Sequence, residues 1–313
     1  MGYYVVNDLH GAKTLVEKTV QGIQRLTPDD ILIINGDGAG ARGPRMNNLV
    51  RIFYEVRRGE TGESELRAAV QEIIGEAPEI PREWIFDVVH VGLFRKLMAD
   101  RYKKFAECLE EELLAVLEET LAPLSMAARE HGVRMLYIAG NGEITPYDFL
   151  TDDYTIEVAV APEERFYQKL AHDGYFEQFG IEYVPYATKL DDDTVLISTN
   201  LLDLDEMTVV EILQHKGLMN DVFTKVIVHY PPAISPVGGA FDFWIPNKVD
   251  IRRSDALHDI LNIIRVDKDT RLYFGHIHLG ADDIRMARYP STMGFEIIDL
   301  QCVWVKPGIV LRI

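Results

Sequence analysis

Five short apolar runs, each broken off by a polar or glycine-bearing segment, constrain this chain more than any other feature. They lie at 3–6, 31–34, 135–139, 226–228 and 272–274. Each is rich in β-branched or aromatic residues and too short for a helix, so each reads as a buried strand. A helical segment at about 12–26 separates the first two. Strands alternating with helices indicate an α/β fold with a mostly parallel or mixed sheet.

The spacing of the runs is uneven. About 90 residues separate the second from the third, too many for one crossover. Residues 45–134 read as largely helical. The stretch 101–121 is dense in Glu, Leu, Ala and Lys with apolar residues at helical spacing, 59–81 carries Gly and Pro punctuation joining two helical pieces, and a last helix at about 124–131 feeds the third strand. The expected organisation is one domain over 1–313 with a helical insertion at about 45–134, which serves either as extra packing or as a lid beside a site. A strand-rich block occupies 181–184 and 194–197, and Asp191, Asp192 and Asp193 between them read as a solvated turn. The segment 231–247 reads as a loop, with Phe241, Phe243 and Trp244 as packing residues.

Composition removes several classes. Lys plus Arg is 32 against 50 for Asp plus Glu, a formal net charge of −18, which argues against a protein that grips nucleic acid through phosphates. Cys108 and Cys302 form no CxxC pair, so neither a disulfide scaffold nor a cysteine-rich zinc module is expected. No apolar run reaches the roughly 18 residues that span a bilayer, and no secretory signal is legible, so the expectation is a cytoplasmic protein without a membrane partner.

The residues directly after each run carry the chemistry. The first run leads into Asp8-Leu9-His10-Gly11, the second into Gly36-Asp37, the third into Gly140-Asn141-Gly142-Glu143, the fourth into His229, and the fifth into Gly275-His276-Ile277-His278. Ligand sites in open α/β sheets collect at the carboxyl ends of strands. In extended chain residues i and i+2 share a side, so Asp8 with His10, and His276 with His278, can reach one centre or two adjacent ones. Oxygen and imidazole donors together suit Mn, Fe, Co, Ni or Zn better than Ca or Mg. Singly, none of the five pieces is diagnostic; in order at five strand ends they read as a metal-binding set. The remaining His90, His131, His172, His215 and His258 read as surface or packing residues.

The ordered set resembles the calcineurin-like metallophosphoesterase superfamily, whose motifs run DxH, GDxxxRG, GNH[DE], H and GHxH. The match spans residues 8–278 and is specific to the superfamily, not to one substrate. The resemblance implies a four-layer α-β-β-α sandwich with two mixed sheets, the later strands at 181–200 and 291–313 building the second sheet. It implies two divalent metals, Mn first with Fe, Ni, Co or Zn as alternatives. One would be held by Asp8, His10, Asp37 and His278, the other by Asp37, Asn141, His229 and His276, with Asp37 bridging. It implies hydrolysis of a phosphoester by attack of a metal-bridging hydroxide, and the charge of −18 narrows the expected ester to a small one.

The chain departs from the pattern twice. Gly142 stands where the family has the histidine that acts as general acid, leaving Glu143 without that partner. Arg42 lies five residues after Asp37 where the family arginine lies four after its aspartate. Arg42 either reaches a phosphate bidentately or is a surface charge. These departures favour a phosphodiesterase over a phosphoprotein phosphatase, with Asp37, Asn141, Glu143 and Arg42 as the catalytic candidates. The alternative is a metallophosphoesterase-fold binding scaffold with little or no catalysis. A nuclease ranks below both for want of a basic groove. Gly142 supplies no proton, so either a substitute acid such as metal-bound water, Glu143 or Tyr147 serves, or esters with good leaving groups are favoured and aryl phosphoesters should be cleaved faster than alkyl ones, by up to the ~10²–10⁴-fold that general acid catalysis contributes. The pH–rate profiles of the two ester classes check this, and equal rates would count against the leaving-group preference.

Overall fold

The structure is a computed structural model that describes residues 1–38, 44–76, 78–86, 102–140, 170–219, 221–230, 251–266, 269–276 and 301–313. In chain order it runs β1 (Tyr3–Val6), α1 (Lys13–Ile23), β2 (Ile31–Asn35), then four helices, α2 (Pro44–Arg58), α3 (Glu63–Ile74), α4 (Arg82–Phe86) and α5 (Tyr102–His131). Next come β3 (Arg134–Ile138), a 3-10 turn (Glu177–Phe179), β4 (Ile181–Tyr183), β5 (Ala187–Lys189), β6 (Thr194–Ile197), α6 (Thr199–Leu202) and α7 (Glu206–His215). The chain continues with β7 (Lys225–Val228), α8 (Ile251–Ile263), β8 (Arg271–Phe274), β9 (Gln301–Trp304) and β10 (Leu311–Arg312).

The strands form two mixed sheets, ordered β10-β1-β2-β3-β4 and β5-β6-β7-β8-β9. In each sheet four strands are parallel, and one edge strand, β10 or β5, is antiparallel to its neighbour. All five apolar runs are strands, and all lie inside a sheet rather than at its edge. Alternate residues serve two cores, as the two-residue period of a strand requires. Val6, Leu32, Ile34, Met135 and Tyr137 pack with helices α1 to α5, including Val16, Ile23, Phe53, Leu117 and Leu121. Their neighbours Val5, Ile33, Leu136 and Ile138 meet Leu196, Ile227 and Tyr273 of the other sheet. Val195, Val226, Val228, Leu272 and Phe274 then pack with Leu201, Val209, Leu213, Leu257 and Ile260 from α6, α7 and α8. Burial on both faces explains why the central strands read as near-continuous apolar runs.

Three expectations change. The strands after residue 180 do not all join the second sheet. β4 extends the first sheet beside β3, with Met135 opposite Ile181, because Phe176 stacks on Tyr183 and packs against Tyr137. β10 returns to β1 through a turn at Gly308, whose φ is 67°. The second sheet instead has β7 and β8 at its centre. The helices expected at 101–121 and 124–131 are one helix of 30 residues that runs through Pro123. Proline removes one helical hydrogen bond, but Leu113, Leu117, Leu121 and Leu124 are all buried along one flank and hold the helix in register. The stretch 59–81 contains a helix of its own, α3, which ends at Gly75 in the left-handed region with its N–H bonded to the Gln71 carbonyl. The acidic turn is as read, with the Asp193 N–H donating to Asp191 Oδ1 at 2.9 Å. No helix among the described residues is long and apolar enough to cross a membrane.

Replacing Leu136, fully buried between the sheets, by alanine should cost about 2–5 kcal/mol in urea unfolding. Met207→Ala on α7, where the side chain is 75% exposed, should stay within about 0.5 kcal/mol.

Candidate metal centre

Four parallel strands from the two sheets deliver side chains to one place. β1 ends at Val6 and is followed by Asp8 and His10, β2 by Asp37, β7 by His229 and β8 by His276. Pairing of Val6 with Ile34 and of Ile227 with Tyr273 keeps the strand ends level within each sheet. The local backbone is unusual. Asp8, His10, Asp37 and His276 have φ of 51°, 48°, 52° and 65°, four of the five non-glycine residues with positive φ among those described. Each such residue costs on the order of 1–2 kcal/mol, and strain of this kind gathers at functional sites.

Hydrogen bonds between the loops hold that strain. The Asp8, His10 and Gly11 N–H groups donate to the carbonyls of Gly36, Asp37 and Gly38 at 3.3, 2.8 and 2.9 Å. The Gly275 N–H donates to the His229 carbonyl at 3.0 Å, and the His276 N–H to the Asp8 carboxylate at 3.1 and 3.2 Å. Close approach also dictates two glycines. A Cβ on Gly140 would collide with the Asp37 carboxylate, and one on Gly275 with the Asn7 side chain.

The side chains form two groups that share Asp37. Asp8, His10 and Asp37 make one, Asp37, His229 and His276 the other, and each offers ligand atoms within 4.8 Å of one another. His10 Nε2 lies 3.9 Å from Asp8 Oδ1 and 3.7 Å from Asp37 Oδ2, and His229 Nε2 lies 3.4 Å from the same Asp37 oxygen. Asp8, Asp37 and His229 are buried, whereas His10 and His276 are partly exposed. His229 Nδ1 sits 2.7 Å from the Asn35 carbonyl. A carbonyl only accepts, so Nδ1 carries the proton and Nε2 faces Asp37. That is the orientation a metal-binding imidazole needs from its outer partner. The His276 ring packs on Tyr230, with centroids 4.5 Å apart.

Electrostatics favour a cation here. Burial pushes the Asp37 carboxyl up, but the charges of His229, His10 and His276 outweigh it and hold the group well below the carboxylate range. Burial pushes His229 down, yet the Asp37 charge and hydrogen bond raise it to about 9, with Asp8 and the Asn35 carbonyl adding to the effect. The metal-free cluster therefore carries a proton in the place a cation would take. Buried carboxylates and imidazoles, with one tautomer already set, fit a first-row divalent ion.

Five of the expected site residues, Asp8, His10, Asp37, His229 and His276, are thus brought together. Asn141, Glu143, Arg42 and His278 lie outside the described residues, as do Tyr147, His90, Phe241, Phe243 and Trp244. His131, His172, His215 and His258 join neither ligand group, and His258 is buried on α8. Three supporting residues had no signal in the sequence. Asn35 orients His229 through its carbonyl while its side chain donates to the Val228 carbonyl at 3.1 Å. The Tyr137 hydroxyl accepts from the Gly38 N–H at 3.3 Å, and the Thr120 hydroxyl lies 3.3 Å from the Gly38 carbonyl.

No protein-family model matches the chain, and no curated protein matches it. Among solved structures, the crystal structure of the phosphopantetheinyl hydrolase PptH from Mycobacterium tuberculosis is similar at 11% identity and a TM-score of 0.27, covering 98% of this chain and 90% of that one. A second crystal structure is similar at 13% identity and a TM-score of 0.40, covering 96% of this chain and 88% of that one. The fold described above rests on its own strand order and cores.

The His229 shift has a sign that can be checked. A histidine raised from 6.5 to about 9 adds stability that is complete below pH 6.5 and lost as pH rises through 9. The metal-free protein should therefore lose stability across that window. His229→Gln should flatten the loss, as read by urea unfolding in chelator at a series of pH values.

Proposed function

We propose that this chain is a metal-dependent phosphoesterase of the calcineurin-like metallophosphoesterase superfamily, acting as a phosphodiesterase on a small phosphoester. The observation that carries the proposal is Asp37, one buried carboxylate shared by two ligand groups drawn from two sheets. In this proposal the layers stack as an α-β-β-α sandwich in a single domain over 1–313 with a helical insertion at about 45–134. The three separate cores support that order. The insertion helices share a core with β1, β2 and β3, which supports one domain rather than two.

Two divalent cations, manganese first, are proposed at the two groups, with Asn141 and His278 completing the sets. When bound, such a pair supplies a water ionised near neutral pH and positive charge for the phosphoryl oxygens. The chain's own part is to hold the ligands. Asp37 stays ionised, the Asn35 carbonyl keeps His229 Nε2 turned inward, and the Asp8 carboxylate is fixed by the His276 N–H. Glu143 and Arg42 are proposed to serve the leaving group and the phosphate. With Gly142 beside them, they suit a diester with a good leaving group.

Asp37→Asn should abolish manganese-dependent hydrolysis of an aryl phosphodiester and leave cooperative unfolding in place, because the amide cannot balance two cations. Parallel metal analysis, hydrolysis assays and unfolding curves read this. A wild-type protein that takes up manganese yet cleaves no phosphoester would favour the binding scaffold instead.

A further inference from the structure

One face of α5 is built against the ligand loops. Glu112, Val116 and Thr120 recur at intervals of four residues, which stacks them on one side of the helix. Val116 and Thr120 touch the ligand loops, and Glu112 ties the same helix to α2. Thr120 is fully buried, and its hydroxyl lies 2.8 Å from its own helix's Val116 carbonyl and 3.3 Å from the Gly38 carbonyl. Val116 fills the space where a Cβ on Gly11 would sit. Glu112, 7% exposed, accepts from both the N–H and Nε of Arg45 at 2.8 Å in the first turn of α2.

These contacts are unevenly placed. Gly11 follows His10, and Gly38 follows Asp37. The two loops are already joined by the Gly11 N–H to the Gly38 carbonyl, the same oxygen that Thr120 approaches. The Val116 and Thr120 contacts fall on the loops that carry His10 and Asp37, and none of the three is with His229 or His276. At the other group, the His229 ring is set by the Asn35 carbonyl and the His276 ring packs on Tyr230.

We infer that α5, with Thr120 as its positioning residue, sets the loops that carry His10 and Asp37, and so bears more on the Asp8, His10 and Asp37 group than on the group that shares only Asp37 with it. The inference rests on the two-group reading of the centre and goes beyond it by making the groups unequal. The insertion helix acts on the centre as a fixed wall, and outer partners of this kind govern ligand placement.

The test uses the full chain and two readouts. In cobalt titrations of metal-free protein, followed by calorimetry and visible absorption, Thr120→Val should weaken one of two binding events roughly tenfold, the scale of an outer partner's loss. The other event, whose group shares only Asp37 with the first, should weaken much less. Thr120→Ser should restore wild-type binding. Added to His10→Gln, Thr120→Val should have only the smaller effect; added to His229→Gln, it should keep its tenfold effect. Equal weakening of both events, or no rescue by serine, overturns the inference. The second readout needs no metal. Hydrogen exchange at residues 8–11 should speed up by roughly three- to tenfold in Thr120→Val, the scale of one lost hydrogen bond, with residues 275–276 unchanged. A wild-type protein that takes up no cobalt defeats the metal reading. Hydrogen exchange then decides the role of Thr120, and unchanged rates at 8–11 overturn it.

Discussion

The arrangement of the strand ends turns on one buried anion. Asp37 sits at the end of a strand in the first sheet, yet two of the three imidazoles that keep it ionised, His229 and His276, come from the second. The third, His10, comes from its own sheet. Charge therefore joins the two sheets at their carboxyl edge, where apolar packing gives way to polar loops. Asn35 strengthens the same joint, since its side chain donates to the Val228 carbonyl and its own carbonyl receives His229 Nδ1. The strained backbone at Asp8, His10, Asp37 and His276 is tolerable because these long-range bonds leave it no alternative.

Much of this was legible in the sequence, for a physical reason. A strand buried on both faces must be apolar throughout, so β1, β2, β3, β7 and β8 announced themselves, and the first polar residue after each marked its end. Asp8, His10, Asp37, His229 and His276 were readable because they occupy those ends. The features that were not readable depend on contacts between distant residues. β4 and β10 are short, and nothing within them says which sheet they join. The continuity of α5 through Pro123 comes from the leucines that flank it, not from local propensity. Asn35, Tyr137 and Thr120 act through partners 194, 99 and 82 residues away. No local pattern encodes such a role.

The overall charge and the centre bear on each other. An acidic protein of −18 raises the concentration of divalent cations around it and repels polyanions. Most of the described acidic residues are solvated, whereas Asp8 and Asp37 are buried among imidazoles. The same sign of charge thus serves two ends: a diffuse field outside and a fixed point inside.

The His276 N–H bonds the Asp8 carboxylate across 268 positions of sequence. During synthesis Asp8, His10 and Asp37 are made early, but β7 and β8 are among the last strands. A nascent chain can assemble β1 and β2 with α1 well before its second sheet exists. Contacts this distant form late, because the intervening chain must first be ordered. Until then Asp37 lacks His229 and His276, and a carboxylate without them is better left in water than buried. Completion of the Asp37, His229 and His276 cluster therefore coincides with completion of the fold.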